Sequence, residues 1–143
     1  MDKLAWTIAG RPLLAHTLDA VARVPSIDTI VLVVPADAVD DVGGAPWLPP
    51  RVDVVPGGER RQDSVASGFA ALERLLPDPG GRRPVLVHDG ARPVLSVDLA
   101  EAVVEATQRH GAAIPTIPVA DTVKRLDDDR IVETVARDAL ALA

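Results

Sequence analysis

Asp89 and Arg92 follow an apolar run, Val85-Leu86-Val87-His88, in a segment that continues to Pro93. A buried strand that delivers an acid and a base just past its C-terminal end is how open α/β sheets present polar groups to a ligand. A strand closing in an ordinary polar turn accounts for the same letters, so the segment alone leaves both readings open. His88, last in the run, reads as a hydrogen-bonded orienting residue, because no Cys or second His lies near it to make a metal site.

A second group is Pro56-Gly57-Gly58-Glu59-Arg60-Arg61-Gln62-Asp63-Ser64, between a predicted strand and a predicted helix. Paired glycines let backbone approach a flat ligand or a phosphate. Asp63 or Ser64 can cap the helix while its free N–H groups face an anion. A Gly-Gly turn with a plain N-cap explains the segment equally. A third group, Asp121-Thr122-Val123-Lys124-Arg125 with Thr134-Val135-Ala136-Arg137, puts hydroxyls and bases on two predicted strands. Such groups can hold a phosphate, and charged edge strands also guard against aggregation. His16 reads as a helix residue with no catalytic role.

The elements that must position these groups alternate. Leu13, Leu14, Thr17, Leu18, Val21 and Val24 recur at helical spacing over 12–24, with Pro12 near the first helical position. The β-branched run 29–34, closed by Pro35, suits a strand covered on both faces, as in a parallel sheet. A short helix over 36–42 and a strand over 51–55 follow. Val65, Phe69, Leu72 and Leu76 mark a helix over 63–76, and Pro77 lies beyond its end. A strand at 85–88 leads to a helix over 97–109, with Gly111 placed to end it in a left-handed residue. The tail differs: a strand over 112–119, then a hairpin of 122–126 and 130–135 around Asp127-Asp128-Asp129. That hairpin has little apolar alternation to bury and needs something else to pack on.

Composition narrows the function classes. The 143 residues fit one domain, able to bury roughly two-thirds of its unfolded surface. Aromatic residues are only 2% of the chain, so Val, Leu, Ile and Ala must build the core, with Trp6, Trp47 and Phe69 as isolated large fillers. Without cysteine, no disulfide or thiolate metal site is possible. A net charge of −6 with interspersed signs gives no field for a polyanion such as DNA, although local Arg and Lys can still hold a small phosphate. No window approaches the ~20 apolar residues of a membrane span, and the first residues have no apolar signal core. A soluble, cytoplasmic protein is expected. No Gly-x-Gly-x-x-Gly follows a predicted strand, which argues against a nicotinamide-binding domain.

Four motifs, in order, resemble one family: Ala9-Gly10-Arg11-Pro12-Leu13-Leu14, Gly57 to Val65 (Gly-Gly-x-x-Arg-x-x-Ser-Val), His88-Asp89-Gly90-Ala91-Arg92-Pro93, and Asp121-Thr122-Val123-Lys124. The chain resembles the 2-C-methyl-D-erythritol 4-phosphate cytidylyltransferases from Lys3 onward. The resemblance implies a Rossmann-like nucleotide-diphospho-sugar transferase fold of the α/β class, with a mostly parallel sheet and a protruding β-hairpin arm. One partial nucleotidyltransferase domain would span 1–143, with 120–137 a dimerisation arm. The implied reaction is cytidylyl transfer from CTP to 2-C-methyl-D-erythritol 4-phosphate with Mg²⁺, in non-mevalonate isoprenoid synthesis.

By the same resemblance, Gly58, Glu59 and Ser64 fall where the family recognises cytosine and ribose. Glu59 stands where the family usually has Asp, so contact with the base there needs a small backbone or rotamer adjustment. Asp89 falls at the acid that helps hold Mg²⁺ and nucleotide, Arg92 at the base beside it, and Lys3 at a catalytic cation. Thr122 and Arg137 fall where the family grips methylerythritol phosphate, the arm crossing to a second subunit of a homodimer. The family's glycine-rich triphosphate loop before the Lys, and its segment after the position of Ala143, have no counterpart in these residues. The expectation is a sequence truncated at both ends, its central strand lacking a first neighbour. Ribitol 5-phosphate is the alternative acceptor, and a non-catalytic binding remnant the alternative of another class.

Overall fold

The computed structural model describes residues 6–76 and 83–143. Its first element is a tight hairpin, β1 (Thr7–Ile8) against β2 (Arg11–Pro12), turning through Ala9 at φ 50° and Gly10 at φ 77°. Two successive left-handed residues match the twist of a two-residue hairpin. The His16 Nε2–H donates to the Ile8 carbonyl at 2.8 Å and ties this hairpin to the next helix.

Pro12, at φ −56°, leads directly into α1 (Leu13–Ala22). Leu14 and Leu18 share one face of α1 and pack with Ile30 and Val52, and Trp47 and Leu48 cover the rim of this core. Burying each such aliphatic side chain contributes about 1.5–3 kcal/mol. β3 (Ile30–Val34) and β4 (Val52–Pro56) run parallel, Ile30 beside Val52 and Val34 beside Pro56. Between them lie a 3₁₀ turn, Ala36–Ala38, and α2 (Val39–Gly43). The next helix, α3 (Arg61–Leu75), packs on this pair. It comes close at Gly68, where a Cβ would stand 3.2 Å from Val33 Cγ2.

The helix expected over 97–109 is α4 (Val97–His110). Ser96 Oγ accepts from the Leu99 N–H at 3.2 Å, and Gly111 ends the helix at φ 87°. Glu101 accepts from the Ser26 N–H at 3.1 Å and joins α4 to the connection after α1. Beyond it, β5 (Ile117–Pro118) pairs antiparallel with β8 (Ala141–Leu142). β6 (Val123–Asp127) and β7 (Arg130–Val135) form the expected hairpin, with Asp128 at φ 48° in its turn and a register shift at Arg125/Leu126.

Three expectations are corrected. Residues 85–88 form no strand: none of the described strands pairs with them, and Val87 is 59% exposed. A β-branched run needs a neighbouring backbone to become a strand, and no described strand pairs with this one. The strand expected over 112–119 shrinks to Ile117–Pro118, since Pro115 and Pro118 each remove a ladder donor. The sheet is not mostly parallel: β3–β4 is the one parallel pair among the described strands, beside three antiparallel pairs. No helix among the described residues is long and apolar enough to cross a membrane.

Candidate functional site

Asp89 and Arg92 are held by a turn rather than by a strand. The Arg92 N–H donates to the Asp89 carbonyl at 3.0 Å, and the Ala91 N–H donates to Asp89 Oδ1 at 3.0 Å. Asp stabilises such turns because its short carboxylate reaches the backbone two residues on. The His88 Nε2–H donates to the Arg92 carbonyl at 3.0 Å, the orienting role expected of it. Arg92 Nε stands 3.9 Å from Asp89 Oδ2, and both side chains are well exposed. A pair this loose and wet contributes little energy and leaves most of the guanidinium fork open.

Among the described residues, no short hydrogen bond engages the other carboxylate oxygen of Asp89, Oδ2. Among the described residues no three His, Cys, Asp or Glu side chains cluster to hold a metal ion. Mg²⁺ does not require such a cage, because it keeps several waters and binds through one or two carboxylates plus substrate phosphates. Asp89 fits that share of a site.

The second group sits at the carboxyl end of the parallel pair. The Gly57 N–H donates to the Val34 carbonyl at 2.8 Å, carrying the ladder one residue past β4. The Gly58 N–H donates to Ser64 Oγ at 3.1 Å, folding the loop back onto α3. Both glycines are required for room. A Cβ on Gly57 would lie 2.7 Å from Ser64 Oγ, and one on Gly58 2.4 Å from the Asp63 Cβ. Ser64 and Gly58, singled out together in the sequence, are thus in direct contact, and Glu59 is exposed at the crest of the loop.

Neither Asp63 nor Ser64 is the N-cap residue, because α3 starts two residues before Asp63 and Arg60 occupies that position. Asp63 caps from inside the helix, its Oδ2 accepting from the Arg60 N–H at 3.2 Å. Arg60 also clasps the carboxylate through Nε at 3.0 Å and Nη2 at 2.9 Å. That clasp holds the Asp63 carboxyl below its ordinary range and raises the Arg60 guanidinium.

The third group lies on and beside the hairpin. Arg137 Nη1 donates to the Ala120 carbonyl at 2.6 Å, bridging the chain on either side of the β6–β7 hairpin. Lys124 Nζ donates to Thr134 Oγ1 at 2.7 Å, and Arg125 pairs with Glu133 across the ladder. Thr122 and Arg137 are both exposed, and Arg137 lines a groove of about 760 Å³ with Thr116, Ala120, Asp138 and Leu140. Lys3 lies outside the described residues.

One residue that the sequence did not single out joins the core to the first group. Thr17 Oγ1, on α1, donates to the Gly90 carbonyl at 2.7 Å, and Thr17 is only 2% exposed. Its signal in the sequence was a hydroxyl in the middle of an apolar helical stripe.

All of residues 1–143 match the family model described as IspD: 2-C-methyl-D-erythritol 4-phosphate cytidylyltransferase. A protein of that name from Streptomyces avermitilis is 44% identical over 132 residues, 87% of this chain and 50% of its own length. The Bifunctional enzyme IspD/IspF of Rhodospirillum rubrum is 39% identical over 141 residues, 98% of this chain and 35% of that one. The crystal structure of 4-diphosphocytidyl-2C-methyl-D-erythritol synthase from Anaerococcus prevotii superposes with a TM-score of 0.80 at 34% identity, covering 94% of this chain and 58% of the other. The chain spans about half the length or less of the curated relatives it matches. The agreement with solved relatives is that of an α/β nucleotidyltransferase fold. A match that runs through both glycine-bearing turns and the Asp89 turn, at this identity, makes the chain a member of the 2-C-methyl-D-erythritol 4-phosphate cytidylyltransferase family.

Proposed function

We propose that this chain transfers the cytidylyl group of CTP to 2-C-methyl-D-erythritol 4-phosphate, giving 4-diphosphocytidyl-2-C-methyl-D-erythritol and pyrophosphate, in non-mevalonate isoprenoid synthesis in the cytoplasm. Family membership supports the reaction class. The observation that carries it to particular residues is the Asp89–Arg92 turn, which offers an open carboxylate oxygen beside an open guanidinium.

In the reaction an oxygen of the sugar phosphate forms a bond to the α-phosphorus, the bond from that phosphorus to the bridging oxygen breaks, and pyrophosphate leaves with the electron pair. The nucleophile is already an anion, so no general base is needed. Catalysis is alignment and charge neutralisation. Asp89 Oδ2 would hold Mg²⁺, which when bound neutralises phosphate charge. Lys3 and Arg92 bring positive charge to the phosphates. Gly58, Glu59 and Ser64 receive cytosine and ribose, and Thr122 and Arg137 receive the methylerythritol phosphate. In this reading 1–143 is one nucleotidyltransferase domain, and its arm, 120–137, reaches a second copy in a homodimer.

The test is pyrophosphate release from CTP and Mg²⁺, with and without methylerythritol phosphate. Release that requires the acceptor is the expected result. Absence of release from protein whose circular dichroism and melting show it folded would mean that this chain does not carry the activity by itself.

A further inference from the structure

A threonine in the middle of a helix ordinarily turns its hydroxyl onto the carbonyl four residues back. Thr17 does not. Its Oγ1 lies 3.4 Å from the Leu13 carbonyl and 2.7 Å from the Gly90 carbonyl. A hydroxyl has one proton, and the shorter contact takes it. The bond is buried at the Thr17 end, so water does not compete freely for it.

The two ends of this bond are supported differently. Thr17 lies between Leu14 and Leu18, which hold α1 against Ile30 and Val52 in the core. Gly90 lies between Asp89 and Ala91 in a segment that belongs to no helix or strand. Apart from the Thr17 bond, the hydrogen bonds of the Asp89–Arg92 turn found among the described residues close within the segment itself, from Ala91 and Arg92 to Asp89 and from His88 to Arg92. Those local bonds fix the shape of the turn without fixing its place on the core.

We propose that Thr17 is a positioning residue for the Asp89–Arg92 turn, anchoring it to α1 through the Gly90 carbonyl so that the carboxylate and the guanidinium stand at one place relative to the nucleotide loop. The inference rests on the proposed function for its catalytic consequence but not for its structural one. Valine fills the volume of threonine without the donor, and serine keeps the donor without the methyl group, so the pair separates the hydrogen bond from packing.

The experiment measures backbone ¹⁵N relaxation of Gly90, Ala91 and Arg92 in the full 143-residue chain as wild type, Thr17→Val and Thr17→Ser, with thermal melting as the control for folding. The expected order parameters are about 0.85 in wild type, a fall toward about 0.6 in Thr17→Val, and recovery in Thr17→Ser, with β3 and β4 unchanged in all three. Equal order parameters at 90–92 in wild type and Thr17→Val overturn the proposal. So does a Thr17→Ser chain that behaves like Thr17→Val. If Thr17→Val does not fold, Thr17→Ser and Thr17→Ala carry the same comparison. Where acceptor-dependent pyrophosphate release is present, Thr17→Val lowers kcat by about 10–100-fold with little change in the KM for CTP, the scale at which outer partners of a site act, and Thr17→Ser restores it. Absence of release sinks the proposed reaction and leaves the relaxation result to decide the role of Thr17.

Discussion

The fold alters the ionisation of Asp63. Its carboxylate accepts from the Arg60 backbone and side chain at the start of α3, and its pKa is lowered from 3.8 by the Arg60 hydrogen bond, then, against burial, by the backbone bond. A carboxyl with a lower pKa folded than unfolded stabilises the fold fully above the unfolded value, and that stability fades as pH falls through the folded one. Between pH 5 and pH 3 the wild-type urea midpoint should therefore drop more than that of Asp63→Asn, and the two curves should differ most near pH 5 and above. A parallel decline would mean that the Arg60 clasp has no bearing on folding. Because Gly58 touches Asp63 through the space its missing Cβ leaves, this cap also fixes the loop proposed to receive cytosine.

At the scale of elements, the left-handed turn of the first hairpin makes a sharp prediction. Ala9 sits at φ 50°, where an L side chain costs roughly 1–2 kcal/mol, whereas glycine adopts that region freely. Ala9→Gly should raise stability by about 1 kcal/mol or less, since glycine also loosens the unfolded chain. A fall in the urea midpoint would show the turn to be unstrained. The positions of α1, α3 and α4 were legible because their apolar spacing and punctuation are local: Pro12 opens one and Gly111 closes another. The antiparallel β6–β7 pair was legible for the same reason, its turn being contiguous with its strands. Val85 to His88 misled because apolar β-branched residues report what a segment can do, while a strand also needs a neighbour that its own letters do not specify. In the site, Asp89 and Arg92 stood out as charges ending an apolar run. Thr17 did not, because a threonine on an apolar stripe looks like filler until the carbonyl of Gly90 is seen opposite it.

At the scale of the whole molecule, the hairpin bears on association. Leu126 and Ile131 face each other across the hairpin ladder, and both are exposed, as is Val132 beside the register shift. If the arm crosses to a second copy as proposed, sedimentation equilibrium at micromolar concentration gives twice the chain mass, and Ile131→Asp shifts the population to monomer without lowering helix content. A wild-type chain that sediments as a monomer removes the homodimer from the reading. The hairpin also sets a tempo. Every rung of β6–β7 closes between near neighbours in sequence, from Asp127 with Arg130 to Val123 with Val135, whereas β3 must find β4 across the whole of α2. Hairpins close in about 1–10 μs, and pairings distant in sequence pay more loop entropy and come later. An isolated two-stranded ribbon is marginal by itself. During refolding the hairpin accordingly flickers into shape before the parallel pair and its helices exist to support it, and the slow step belongs to the half of the chain that carries the loop proposed to receive cytosine.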